Sequence, residues 1–94
     1  MGIHEQEDVI RTLRLFPNPT SHILQLEVID QSLWVPGMKA VHLLDLNGRV
    51  VKELTWDDLL QPRLAIPVND LANGLYMVRI TYQHEVWSAK WLKH

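Results

Sequence analysis

Five histidines, His4, His22, His42, His84 and His94, are the side chains of this 94-residue chain best suited to hold a metal or move a proton. A structural zinc site needs ligands at close, regular spacing, usually with cysteine among them. These histidines are scattered and cysteine is absent, so no metal site is expected. Asp57 and Asp58 are sequence neighbours. On a strand their carboxyls would point apart rather than face each other across a scissile bond. Ser21-His22 is set aside on the same ground, because consecutive strand positions face opposite sides. No glycine-rich loop joins a strand to a helix, as a phosphate site would require. Proline in the middle of Asn18-Pro19-Thr20 rules out a glycosylation acceptor. No catalytic, cofactor-binding or metal-binding residue is assigned, and no cofactor is expected.

What remains is the chemistry of contact. Trp34, Trp56, Trp87 and Trp91 can either stack on sugars or fill a core. Trp91 is read as core, while Trp34 and Trp56, in stretches read as loops, are better placed for exposure. Lys90 and Lys93 offer two cations that either meet a partner or guard a sheet edge against aggregation. With 11 acidic and 9 basic side chains, no basic excess points to nucleic acid or to an anionic membrane. No apolar run approaches the ~20 residues of a membrane helix, and no direct membrane insertion is expected. Residues 2–12 are mostly polar and acidic, the reverse of an export leader. An exported protein with this segment is expected to carry its leader elsewhere.

These contact residues need a frame, and the chain's punctuation supplies one. Residues 1–11 read as a linker or disordered segment, and residues 12–94 as one domain. Strands are expected over 12–16, 22–29, 40–46, 49–55, 64–68, 75–82 and 86–93, from apolar residues alternating with polar ones. Pro17-Asn18-Pro19 is a rigid turn, since neither proline can donate to a ladder. Asn47-Gly48 is expected to form a type I′ hairpin with positive φ at both positions. Gly74 is expected in an unusual dihedral at the start of its strand, and Pro67 marks an edge or bulge. Tyr76 is expected to bury its ring and tie its hydroxyl to a loop. Residues 56–62 have room for one helical turn. On the last strand Trp87, Ala89 and Trp91 should share one face, and Val86, Ser88, Lys90 and Leu92 the other. Seven short strands with turns about every ten residues argue for an all-β, immunoglobulin-like antiparallel β-sandwich.

Four pieces stand in a set order: Phe16-Pro17-Asn18-Pro19, Asp45-Leu46-Asn47-Gly48-Arg49-Val50-Val51, Asn73-Gly74-Leu75-Tyr76-Met77-Val78-Arg79-Ile80, and Lys90-Trp91-Leu92-Lys93. Together they resemble the C-terminal sorting domain, type A, of proteins exported by the bacterial type IX (Por) secretion system. The resemblance runs from about Leu13 to His94. It implies a small immunoglobulin-like sandwich that is not an enzyme but a folded address label on an N-terminal cargo domain. It implies recognition by the outer-membrane translocon and by sortase-like components. It also implies passage through the periplasm to the exterior or cell surface, with later proteolytic removal and surface attachment of the cargo. Lys90, Trp91, Leu92 and Lys93 are the residues this resemblance offers for recognition. Pro17, Asn18, Pro19, Asn47, Gly48, Gly74 and Tyr76 are read as structural parts of its motifs. A carbohydrate-binding or adhesion module is the alternative, and it requires at least two exposed, coplanar tryptophans.

Overall fold

A computed structural model of the chain describes residues 8–10, 13–17, 19–28, 37–57 and 61–94. Eight strands follow in order: β1 (Asp8–Ile10), β2 (Leu13–Phe16), β3 (Ile23–Val28), β4 (Met38–Leu44), β5 (Val50–Asp57), β6 (Arg63–Pro67), β7 (Gly74–Tyr82) and β8 (Glu85–Lys93). They form two antiparallel four-stranded sheets, β1-β2-β3-β6 (sheet A) and β5-β4-β7-β8 (sheet B). The expected strands are all present. The additional one, β1, lies inside the stretch read as a linker, where its backbone pairs with β2. Its three residues are too few to show an alternation.

Alternation explains which side of each sheet is dry. Leu13, Leu15, Leu24, Leu26, Leu64 and Ile66 of sheet A face Val41, Leu43, Trp56, Tyr76, Val78, Ile80 and Trp91 of sheet B in one buried cluster. Each fully buried large apolar side chain of this kind contributes about 1.5–3 kcal/mol. β4, the more apolar strand, is interior to its sheet, and β6, which contains Pro67, is an edge. Both placements follow from ladder donors: an interior strand must use them on two sides, and proline has none to give.

Three local expectations change. Trp56 is not in a loop; it is the penultimate residue of β5 and fully buried, its indole N–H donating to the Gln61 carbonyl at 2.6 Å. Asp57 is likewise in β5, its carbonyl accepting from the Gln61 N–H four residues on at 3.0 Å, and Asp58 is outside the described residues. At the β4–β5 hairpin only Gly48 has positive φ (81°), while Asn47 does not. The Gly48 N–H donates to the Asp45 carbonyl, and Asp45 Oδ1 accepts from the amides of Asn47 and Arg49 at 2.9 Å. A carboxylate inside the turn satisfies the amides that a type I′ turn would leave outside, so one left-handed residue suffices. Finally, Ser21 Oγ lies 2.9 Å from His22 Nδ1, because both sit in a bend before β3 rather than on it. Alternation does not govern a bend. The pair is exposed, and among the described residues no carboxylate orients His22 as a catalytic base would require.

The outer side of sheet A is held by charge. Glu27 accepts from Arg14 at 2.7 Å and from Arg63 at 3.0 Å across neighbouring strands, and both guanidiniums lie over the Phe16 ring. The Arg63 hydrogen bond first, then the charges of both arginines, hold the Glu27 carboxyl below its ordinary 4.5, against some desolvation. Asp45 is held below 3.8, chiefly by the Arg49 amide, and Asp70 below 3.8, chiefly by Lys52. A carboxyl whose pKa is depressed by folding stabilises the native state above its unfolded value. That stabilisation is lost as pH falls through the folded value. Thermal melts should therefore be flat down to about pH 5 and fall progressively towards pH 3. Glu27→Gln should make that acid slope shallower, and an unchanged slope would show that Glu27 is not coupled to folding.

Candidate recognition site

β8 carries the residues singled out for recognition, and its register fixes where they point. Met77 pairs with Lys90, Tyr76 with Trp91, Leu75 with Leu92 and Gly74 with Lys93. Trp91 and Lys93 face inward and are buried, while Lys90 and Leu92 face outward and are exposed. The expected division of β8 into two faces holds. The four residues nonetheless separate: two can touch a partner and two hold the strand in place.

Trp91 stacks on Tyr76, ring centroids 5.0 Å apart and planes 21° from parallel. The Tyr76 hydroxyl donates to the Ala72 carbonyl at 2.6 Å, closing the loop before β7 as the sequence leads one to expect. Gly74, at the start of β7, has φ 152°, a region essentially reserved for glycine. A Cβ there would meet nothing within 4 Å, so the requirement is dihedral and not steric. Gly74→Val is expected to lower the melting temperature by on the order of 10 °C. Circular dichroism melts test this, and an unshifted transition would remove the dihedral argument.

Lys93 is held from both sides. Its ammonium donates to Asn73 Oδ1 at 3.3 Å, and on the side away from β7 its backbone meets Thr20 in a parallel bridge. The Thr20 N–H donates to the Leu92 carbonyl at 2.8 Å, and the His94 N–H donates to the Thr20 carbonyl at 2.8 Å. Thr20 is fully buried and its hydroxyl donates to the Pro17 carbonyl. The end of β8 is thus not an open sheet edge, contrary to the edge-strand reading of Lys93. The turn after β2 occupies it. Pro17 and Pro19 are exposed and bracket this contact, with a cis Phe16-Pro17 peptide, and Asn18 lies outside the described residues.

The β4–β5 hairpin closes the same end from the other flank. Leu46 and Gly48 line a shallow groove with Leu44, Leu75, Met77 and Lys90. Four motif pieces far apart in sequence therefore meet at one end of the molecule: the proline turn through Thr20, the hairpin through Leu46, and β7 and β8 through their ladder. The family model described as "Secretion system C-terminal sorting domain" matches residues 14–94. The chain belongs to this family. It is a sorting-signal domain of type IX secretion, which implies contact with that secretion system and export towards the outer membrane or cell surface. No curated protein matches the chain.

Within this sorting domain the sequence reading missed Thr20, Asn73, Leu46 and Met77. Asn73, Leu46 and Met77 stood inside the quoted motifs and needed only the register to be noticed. Thr20 had one faint marker, a hydroxyl residue directly after a proline turn, which favours a local bond to the backbone. The tryptophans divide against a sugar platform: Trp56 and Trp91 are buried and Trp87 is partly buried against the core, while Trp34 lies outside the described residues.

Proposed function

We propose that this domain acts by binding alone, as a folded address label read by the translocon and sortase-like components of the type IX system. In this reading the cargo precedes the domain and crosses the periplasm with it. The domain is then removed by proteolysis and the cargo is attached at the cell surface. The fold is read as immunoglobulin-like, supported by a strand order in which β3 crosses to β6 in one sheet and β4 to β7 in the other. The observation that carries the reading is the meeting of all four motif pieces at one end of a domain whose family match spans residues 14–94.

Lys90 and Leu92 are the outward-facing members of the recognition set, and Trp91 and Lys93 position them. Because Thr20 already uses the Leu92 carbonyl and the His94 amide, contact at this end is made through side chains rather than by adding a strand. The test is a reporter fused ahead of residues 11–94, behind a leader, in a host that has a type IX system. The expected result is export of the reporter to the medium or cell surface. A reporter that remains periplasmic while the domain is folded would end the sorting reading for this chain.

A further inference from the structure

The outer side of sheet B, opposite the core, carries a groove of about 140 Å³. Leu44, Met77 and Lys90 form one row across β4, β7 and β8, with Leu75 beside them on β7. Leu46 overhangs from the hairpin and is 74% exposed, whereas Leu44 is buried without belonging to the central core cluster. Single exposed leucines are ordinary, but apolar side chains gathered in one groove mark a contact surface. Two charged residues line it. Asp45 is committed to the hairpin, accepting from the amides of Asn47 and Arg49 and from the Arg49 guanidinium. Lys90 makes no ion pair among the described residues. The groove is therefore apolar with one uncompensated positive charge at its rim.

We propose that this groove docks an extended segment of a protein of the export machinery, one that presents an apolar side chain followed closely by a carboxylate. The inference rests on the sorting reading above and names the chemistry of the partner. Apolar burial in the groove supplies affinity, and the carboxylate meeting Lys90 supplies register and selectivity. An anionic membrane is the poorer fit, since a lone lysine contributes only about 1 kcal/mol near a charged bilayer. A second copy is also poorer, because two-fold pairing of this face brings both Lys90 ammoniums into the same contact. The Thr20 contact at residues 92–94 keeps the groove's last strand in place without leaving its backbone open there.

The proposal is tested in the exported reporter fusion with a photoreactive side chain at Asn47, beside the groove, and at Ala65, on the outer side of sheet A. Crosslinking at position 47 should exceed that at 65 and join a machinery protein at a peptide with Asp or Glu near an apolar residue. Lys90→Glu should lower that yield about tenfold, Lys90→Arg should recover most of it, and Leu75→Ser should lower it without large loss of melting temperature. Crosslinks chiefly to lipid or to a second copy, equal yields at 47 and 65, or a yield indifferent to both Lys90→Glu and Leu75→Ser would overturn the docking proposal while leaving the sorting reading intact. An unaltered fusion that is never exported removes both.

Discussion

Trp91→Ala should leave the domain on the verge of unfolding at growth temperature. The indole is 1% exposed, stacks on Tyr76 and helps join β8 to the core. Truncating a buried tryptophan to alanine typically costs about 3–5 kcal/mol, against a total stability on the order of 5–10 kcal/mol for a domain of this size. The melting temperature should fall on the order of 15–30 °C. Export of a fused reporter should fall with it, although the indole is buried rather than presented at the surface. Trp91→Phe keeps a ring against Tyr76 and should recover most of the stability. The indole N–H has no acceptor among the described residues, so losing it adds no penalty. Calorimetry of the two variants checks this, and an alanine variant melting like the parent would mean that β8 is not needed to complete the core. A deletion of residues 90–94 would act on the fold as well. It removes the indole together with Lys90, so lost export reports the fold as much as the contact surface.

Thr20→Pro should have the second largest effect, and its contrast with Thr20→Val isolates the backbone contact. Proline removes the N–H that reaches the Leu92 carbonyl at 2.8 Å in a fully buried position. A buried backbone acceptor left without its donor costs about 1–3 kcal/mol, to which lost packing around residue 20 adds. Valine keeps both backbone bonds and gives up only the hydroxyl's bond to the Pro17 carbonyl, about 1 kcal/mol. Hydrogen exchange should show the His94 amide opening early in Thr20→Pro and remaining protected in Thr20→Val. Equal protection in both would mean that the Thr20 N–H is not needed to hold the end of β8.

The two-sheet architecture was legible because its information is local. Leu24, Leu26 and Val28, or Tyr76, Val78 and Ile80, announce a buried face within six residues, and prolines and glycines mark where each face stops. Gly74 and Tyr76 were readable for the same reason: an unusual dihedral and an amphipathic phenol both state their requirements within a few residues. The site was readable only as a set of pieces. Which end of the molecule they share depends on pairings such as Thr20 with Lys93, made between segments with no common local pattern. Alternation also fails where the chain bends or a strand is too short to show it, which explains Ser21-His22 and β1, whereas Trp56 continues the inward series of Leu54 just past the strand end expected at Thr55.

The stacking of Trp91 on Tyr76 bears on when such a label becomes valid. Of the domain's strands, β8 is the last to leave the ribosome, and the ring that seals the hydrophobic interior rides near its far end. A nascent or broken polypeptide lacking those final residues has no sealed interior and no finished address. A domain truncated before Trp91 should therefore fail to fold even with every earlier strand intact.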